Sequence, residues 1–398
     1  MTCAICGSCQ TKLITFHNGQ LVTSLGKLVK GNSTIYSCES CSHCQTESTI
    51  DFGKYYSSEY KTLMAFPDED DIYSIENGKT IYRSDHMVKI FLSKILTYRS
   101  DLQLDESIRM LDYGCGKGHF AKRLSSTCSM FRCYLYDISA DYLPSWSEYV
   151  SASQYACFDI PESWFGTFDV ITSLLSLEHV QDPIEEIGKL RLLLSSQGVI
   201  YITVPNMYSE NQMDMLVADH MHHYSPLSMR TALQKAGLEL VEEDHVSHAQ
   251  CSIYIAKCGS EDARSVHNSS NTYEYLQRQR DIAMSYETSL NQLNAFLASK
   301  RGRPIIIVGA GVIGSLIASL IDDLTQIACF VDSSIFKQKK GWLSSPVLSP
   351  SDLDKFVTAA PPIYIIAFNA KMTPIGLSMV PACVHSNDVF SLFAPQSQ

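Results

Sequence analysis

Leu111-Asp112-Tyr113-Gly114-Cys115-Gly116-Lys117-Gly118 decides the fold. It closes an apolar run that begins at Ile108 and leads into a helical pattern. Glycines let the backbone pass close to a ligand, and a helix start presents unbonded N–H groups. The spacing Gly-x-Gly-x-Gly, with an acid two residues ahead, departs from the dinucleotide spacing Gly-x-Gly-x-x-Gly. An acid at Asp112 suits a cationic ligand better than a pyrophosphate. Asp137 ends the next strand, where a carboxylate can take both hydroxyls of a ribose. Asp159, with Ile160 behind it, follows a further strand and is placed to receive an adenine amino group.

Working outward, strands are expected over 108–112, 132–137, 168–172 and 198–204, with helices between them. The best-marked helix opens at Asp182-Pro183-Ile184-Glu185. A capping Asp, Pro at the first helical position and Glu three residues past the cap are matched start signals. This helix is expected to end near Gly198. Alternation of this kind predicts an α/β fold, a mostly parallel sheet with helices on both faces. Upstream, Met87, Ile90, Phe91 and Ile95 recur at helical spacing and predict a helix over 86–96. Residues 51–107 are otherwise polar and tyrosine-rich, with an acidic turn at Pro67-Asp68-Glu69-Asp70-Asp71.

The first 50 residues carry six of the fourteen cysteines, as Cys3-x-x-Cys6-x-x-Cys9 and Cys38-x-x-Cys41-x-x-Cys44. A Cys-x-x-Cys turn delivers two thiolates to one ion, and tetrahedral Zn2+ needs four such donors. Cys3, Cys6, Cys38 and Cys41 form the most regular set, with Cys9 and Cys44 as spares. An iron–sulfur cluster is the chemical rival, but the Cys-Pro it commonly ends on is absent. A segment this small has too little core to fold unaided, so the metal is expected to be structural.

Asp219-His220-Met221-His222-His223-Tyr224-Ser225-Pro226 follows the fourth strand of the core. Three histidines and a tyrosine in five positions offer a general base near working pH. The alternative is a helix-entry segment with Ser225 as cap and Pro226 in the first turn. Glu178-His179 lies after the preceding strand, where it either lines the reaction site or scaffolds a loop.

Residues 260–301 contain no Gly or Pro, and Leu276, Ala283, Tyr286, Leu290, Leu293 and Leu297 predict a long connecting helix. A second alternating unit then opens with Gly309-Ala310-Gly311-Val312-Ile313-Gly314 and reaches Asp332 at the next strand end. In form this is the dinucleotide fingerprint. Taken alone it supports an NAD-dependent oxidoreductase, but fewer than 100 residues remain for a complete dinucleotide fold. A module for packing, or for holding a nucleotide-linked substrate, is the preferred reading.

The 398 residues carry a formal net charge of −11, which argues against a nucleic-acid partner. No apolar stretch reaches the roughly 20 residues that span a bilayer. Fourteen cysteines behind an N-terminus without a signal-peptide pattern point to thiolates rather than disulfides, and to the cytoplasm.

Residues 105–258 resemble the class I S-adenosylmethionine-dependent methyltransferases. The likeness rests on the 112–118 loop, Phe168-Asp169-Val170, Leu177-Glu178-His179-Val180, the Leu192–Gly198 run and Val204-Pro205-Asn206. With the cysteine knuckles ahead and the second glycine loop behind, nearly the whole chain resembles the nucleotide-sugar C-methyltransferases of deoxysugar biosynthesis. That resemblance implies a zinc-binding domain at 1–50 and a Rossmann-like methyltransferase domain at 51–258. It also implies a helical linker at 259–300 and a C-terminal Rossmann-like domain at 301–398. S-adenosylmethionine would sit on Asp112, Gly114, Gly116, Gly118, Asp137, Asp159 and Ile160. The acceptor would be a nucleotide-linked keto-sugar that loses a proton beside its ketone, with His220 as base, Asp219 as its acidic neighbour, and His223, Tyr224 and His179 close by. The family's His-Glu-His-Phe-Ser-Tyr segment here reads Ala218-Asp219-His220-Met221-His222-His223. Those departures keep transfer to oxygen or nitrogen as the rival chemistry.

Overall fold

The computed structural model describes residues 1–16, 19–51, 55, 70, 72–76, 79–98, 107–209, 212–259, 272–370 and 372–393. Seven strands form the central sheet. Their spatial order is Tyr155–Cys157, Phe131–Asp137, Ile108–Tyr113, Phe168–Leu174, Leu194–Pro205, Cys251–Cys258 and Leu238–Asp244. Numbered along the chain, that order reads 3-2-1-4-5-7-6. The first five run parallel, and Cys251–Cys258 is antiparallel to both its neighbours. Strand order reverses between Ile108–Tyr113 and Phe168–Leu174, and in open α/β sheets a ligand crevice opens beyond the strand ends at such a point.

Alternation along Ile108–Tyr113 sends successive side chains to opposite faces. Ile108 and Met110 pack on one side with Phe91 and Ile95 of helix Arg83–Tyr98 and Leu124 of helix His119–Thr127. Leu111 and Tyr113 pack on the other with Ile187 and Leu190 of helix Pro183–Leu193 and Met229 and Leu233 of helix Pro226–Lys235. Each fully buried aliphatic side chain contributes roughly 1.5–3 kcal/mol, so both faces hold the sheet.

Asp182 caps helix Pro183–Leu193 as expected, accepting from the amides of Ile184 and Glu185. The helix ends five residues before Gly198, because Leu194 already pairs with Phe168 and begins the strand. At Gly198 a Cβ would lie 2.6 Å from the Phe168 carbonyl oxygen, so the glycine sits at a strand irregularity rather than a helix end.

The first 48 residues fold as strands Gln10–Phe16, Ser33–Cys38 and Cys44–Ser48 in one antiparallel sheet, with hairpin Gln20–Val22/Leu28–Lys30 beside it. This segment does not stand alone. Its sheet gains a fourth strand, His222–His223, which pairs with Cys44 and Gln45. Cys3, Ile5, Cys38 and Cys41 belong to the methyltransferase-side core, while Ile14, Val22, Ile35 and Cys44 share a core with the C-terminal sheet. A segment too short to bury its own apolar groups completes them against its neighbours.

Helix Thr272–Ser299 buries Gln279, Ile282, Ala283, Tyr286 and Leu293 along one face. Gln279 accepts from the Ser37 hydroxyl at 2.5 Å and donates to the Ser42 carbonyl at 2.7 Å, tying the helix to the N-terminal sheet. The start of the helix expected from 260, and most of the acidic turn at 67–71, lie outside the described residues. Five parallel strands follow, Val347–Leu348, Ile327–Val331, Ile305–Val308, Ile363–Ile366 and Val389–Ser391, in the order 3-2-1-4-5 when numbered along the chain.

Candidate active site and metal centre

The first glycine loop leaves its strand at Gly114, whose φ of 71° belongs to the left-handed region. A Cβ there would come within 2.8 Å of the Ser176 Cβ, so only glycine lets this loop lie against the turn at the end of Phe168–Leu174. Trp146 donates its indole N–H to the Gly116 carbonyl and Tyr149 its hydroxyl to the Gly118 carbonyl, both at 2.8 Å. With the carbonyls engaged behind it, the loop is held in place before any ligand arrives.

Asp137 ends the second strand and accepts from the Gly116 amide at 2.9 Å and the Ser139 amide at 3.0 Å. Burial raises its carboxyl to about 6, against the pull of those amides. Asp112 is 2 % exposed and lies in the sheet, accepting from the Thr172 hydroxyl at 2.8 Å. Burial raises it to about 7, with Thr172 opposing and Asp137 reinforcing the shift. Asp112 is thus buried against Thr172 within the sheet, whereas Asp137 is partly exposed and joined to the loop through Gly116. Asp159 is exposed just past strand Tyr155–Cys157, and Ile160 packs half-buried against the core. Between Asp137 and Asp159 the sequence reading missed Phe158, 64 % exposed with φ 62°, its amide on the Asp137 carbonyl. Phe158 and Ile138, 55 % exposed, give a flat heterocycle apolar surface beside the acid. A left-handed phenylalanine has no local sequence signature.

Across the crevice, the short helical turn Leu177–His179 brings Glu178 and His179 up to His220. One ligand-type atom from each of the three lies within 4.8 Å of the others. His179 Nδ1 is 2.8 Å from the Asp219 carbonyl oxygen. A carbonyl only accepts, so Nδ1 is the donor in this contact. His220 is 7 % exposed and Glu178 1 %. Burial raises Glu178 to about 8 and lowers His220 to about 3.

These positions change the expected roles. An imidazole that burial holds down to about 3 is neutral at pH 7 and a weak proton acceptor there. The Asp219 carboxylate does not reach for His220. It accepts from the Ser24 amide at 2.7 Å and the Ser24 hydroxyl at 2.6 Å, with the Tyr55 hydroxyl at 3.4 Å. Its nearest imidazole contact is His179 Nδ1 at 3.8 Å. His223 and Tyr224, also expected in the reaction site, are engaged elsewhere. His223 Nε2 meets the Thr46 hydroxyl at 2.7 Å, and the Tyr224 hydroxyl donates to the Leu177 carbonyl at 2.9 Å. Strand pairing with Cys44 and Gln45 turns His222 and His223 toward the N-terminal sheet, where His222 Nδ1 lies 3.0 Å from His43 Nε2. Ser225 then caps helix Pro226–Lys235 through a capping box with Ser228. Ser24 and Tyr55 escaped the sequence reading because nothing local marks a contact 195 or 164 residues away.

The four cysteines Cys3, Cys6, Cys38 and Cys41 converge, all sulfurs within 4.8 Å of one another. Cys3 and Cys41 are 3.6 Å apart, Cys6 and Cys38 3.4 Å. Zn–S bonds of about 2.3 Å set tetrahedral edges near ~3.8 Å, so the donor set fits one such ion. Hydrogen bonds from Cys3 and Cys41 hold the Cys38 thiol far below the ordinary range, and the same crowding pushes Cys41 far above it. Cys9 is exposed, and Cys44 is buried in the core shared with the C-terminal sheet.

In the second glycine loop, Ala310 N–H donates to Asp332 Oδ2 at 3.0 Å and Ser334 N–H to Oδ1 at 2.9 Å. Lys337 Nζ stands 3.4 Å from Oδ2. The flank of helix Val312–Ser319 is covered by the N-terminal hairpin. Ser315 donates to the Gly26 carbonyl at 2.6 Å, and Trp342 donates its indole N–H to Ser315 at 2.9 Å.

Residues 85–243 match a family model described as a methyltransferase domain. A ubiquinone biosynthesis O-methyltransferase of Neisseria meningitidis serogroup C (strain 053442) is 22% identical over 174 residues, 39% of this chain and 73% of the relative. Among solved structures, an S-adenosylmethionine-dependent methyltransferase from Aquifex aeolicus aligns with TM-score 0.33 and 16% identity, over 52% of this chain and 98% of that one. Another from Mesorhizobium loti aligns with TM-score 0.33 and 14% identity, over 40% and 95%. The core has class I methyltransferase architecture, and the protein is an S-adenosylmethionine-dependent methyltransferase. No helix among the described residues is long and apolar enough to cross a membrane.

Proposed function

We propose that this enzyme methylates the carbon beside the ketone of a nucleotide-linked keto-deoxysugar. The observation that carries the reading is the meeting, at the strand-order switch, of the Gly114–Gly118 loop with the turn that bears Glu178 and His179. Bound S-adenosylmethionine supplies a methyl group on a positively charged sulfur. Asp137 would take the ribose hydroxyls, the Gly116 region would hold the amino-acid end, and Asp159, Ile160 and Phe158 would hold the adenine.

On the acceptor side, loss of the proton beside the ketone calls for lone pairs in the chamber. His179, oriented by the Asp219 carbonyl, stands nearest that task, with His220 beside it. Asp219 steadies this wall by holding Ser24, and His223 and Tyr224 brace it through Thr46 and Leu177. Alignment of acceptor and methyl donor supplies much of the acceleration, since effective molarities of about 10⁵–10⁸ M are open to well-oriented groups.

Zn2+ on Cys3, Cys6, Cys38 and Cys41 fits the N-terminal donor set and would have a structural part, because four thiolates leave no open position. It would rigidify the sheet whose last strand, His222–His223, continues directly from the acceptor wall. The chain divides on this reading into the zinc module at 1–50, the methyltransferase domain at 51–258, the linker helix at 259–300 and the Rossmann-like domain at 301–398. Free thiols throughout suit the cytoplasm.

A mass-shift screen of nucleoside-diphosphate keto-sugars with the methyl donor tests the substrate class. A gain of one methyl on carbon, with solvent deuterium entering beside the ketone before transfer, is the expected result. Methylation confined to hydroxyl or amino groups would replace it with the second reading, transfer to oxygen, which the Neisseria O-methyltransferase favours by its name.

A further inference from the structure

We infer that Glu178, His179 and His220 form a second metal site, distinct from the cysteine centre, which takes one divalent cation of borderline to hard character. The inference rests on the proposed methyltransferase reading and places the ion in the acceptor wall.

Three observations converge. Ligand-type atoms of the three residues lie within 4.8 Å of one another, close enough for small side-chain rotations to bring them to the edge of a single coordination sphere. Glu178 Oε2 and His220 Nδ1 are each buried with no hydrogen-bond partner among the described residues. A buried polar atom left unpaired costs about 1–3 kcal/mol. A cation answers both.

The third observation is the orientation of the rings. His179 gives its Nδ1 proton to the Asp219 carbonyl, and the Asp214 backbone interacts with the His220 ring, whose only unpartnered nitrogen is Nδ1. Metal-binding histidines are characteristically oriented this way, with one ring nitrogen on a backbone carbonyl and the lone pair of the other turned inward. The rings stand nearly perpendicular, centroids 4.7 Å apart at 80°, as two ligands of one ion can. Arg83 is the neighbouring cation, and Asp214 and Asp219 with Glu178 outnumber it. Two imidazoles and one carboxylate suit Mn2+, Fe2+, Co2+ or Zn2+, and leave positions open for an acceptor oxygen. With both imidazoles as ligands, an ion there would polarise the acceptor's carbonyl or hydroxyl and make it more acidic, its proton leaving to solvent water.

The full-length protein, with its cysteine centre loaded with zinc, is titrated with Mn2+ alone and followed by electron paramagnetic resonance. A thiolate site does not favour this hard ion, so the two centres are read separately. One Mn2+ per chain is expected in the wild type and in Cys9→Ser, with affinity at least ~10-fold weaker in Glu178→Gln and in His220→Ala. Co2+ serves as a second probe, and its bound spectrum should show nitrogen and oxygen coordination that His220→Ala removes. Failure of both ions to bind, or binding unchanged by Glu178→Gln and His220→Ala, overturns the site. S-adenosylhomocysteine calorimetry on the same samples separates the failures. Cofactor product bound without metal sinks only this inference, whereas no cofactor product bound sinks the methyltransferase assignment beneath it. Retained binding of that product by the variants also shows that they fold.

Discussion

Asp137 ends the second strand of its sheet and Asp332 directly follows the second strand of the other, and each carboxylate is held by two backbone amides in the same pattern. What surrounds them differs. Asp137 is raised to about 6 by burial, borders the exposed Phe158 and Ile138, and faces the switch-point crevice. Asp332 has Lys337 at 3.4 Å, and the helix after its loop is flanked by Gly26, Ser315 and Trp342 in a mutual network. The same local geometry borders a crevice with exposed apolar side chains in one sheet and a packing junction in the other. A glycine fingerprint reports a backbone path; the neighbours decide whether that path remains available to a ligand.

The largest expected effect separates the two acids directly. Asp137→Ala should weaken S-adenosylhomocysteine binding about 100-fold, roughly 2.7 kcal/mol, as befits charge-assisted hydrogen bonds lost from a ribose. Asp332→Ala should leave that affinity unchanged. Calorimetry on both variants decides, and equal losses would erase the distinction.

The glycines give the next contrast. Gly114→Ala combines a φ of 71° with a 2.8 Å clash against Ser176, and should cost about 1–3 kcal/mol in denaturant unfolding. Gly311, extended at φ −142° with nothing within 4 Å of a built Cβ, should accept alanine at no measurable cost. In the dinucleotide fingerprint this second glycine admits the pyrophosphate. Gly309 and Gly314 are required here by packing instead, since Cβ atoms there would meet the Ala367 and Gly309 carbonyl oxygens at 2.7 and 2.3 Å.

Smaller is the pH dependence set by Asp112, whose folded carboxyl is raised to about 7 from an ordinary value near ~3.9. A raised carboxyl stabilises the fold fully below its unfolded value and loses that contribution as pH rises through the folded one. The stability advantage of Asp112→Asn over wild type should therefore grow between about pH 5 and 8, by on the order of 1–3 kcal/mol. Urea midpoints across that range give the slope, and a flat difference would show that the acid ionises without penalty. Lys337→Met should be the mildest change, below about 1 kcal/mol, since this partly exposed pair is screened by solvent. If it instead opens a nucleotide site detectable by NADH fluorescence, the C-terminal loop is closed by charge rather than by packing.

Much of the core could be read along the chain. Ile108, Asp137, Phe168 and Asp182 mark element boundaries because short-range patterns of alternation and capping fix them. The helix after Asp182 was harder to end, since pairing of Leu194 with Phe168 across the sheet overrode the local signal at Gly198. The site was legible in its parts and not in its assembly. The Asp219–Tyr224 run offered five side chains for one task, and strand pairing at His222–His223 divided them between the acceptor wall and the N-terminal sheet.

Sequence by itself determined two glycine loops, each with an acid at the following strand end, and four cysteines spaced for one ion, because backbone turns and ligand spacing are local properties. Tertiary structure alone decided that Lys337 stands over one acid, that Ser24 holds Asp219, and that Glu178, His179 and His220 converge. Those outcomes depend on which distant surfaces pack together, and burial then sets which charges and lone pairs stay available.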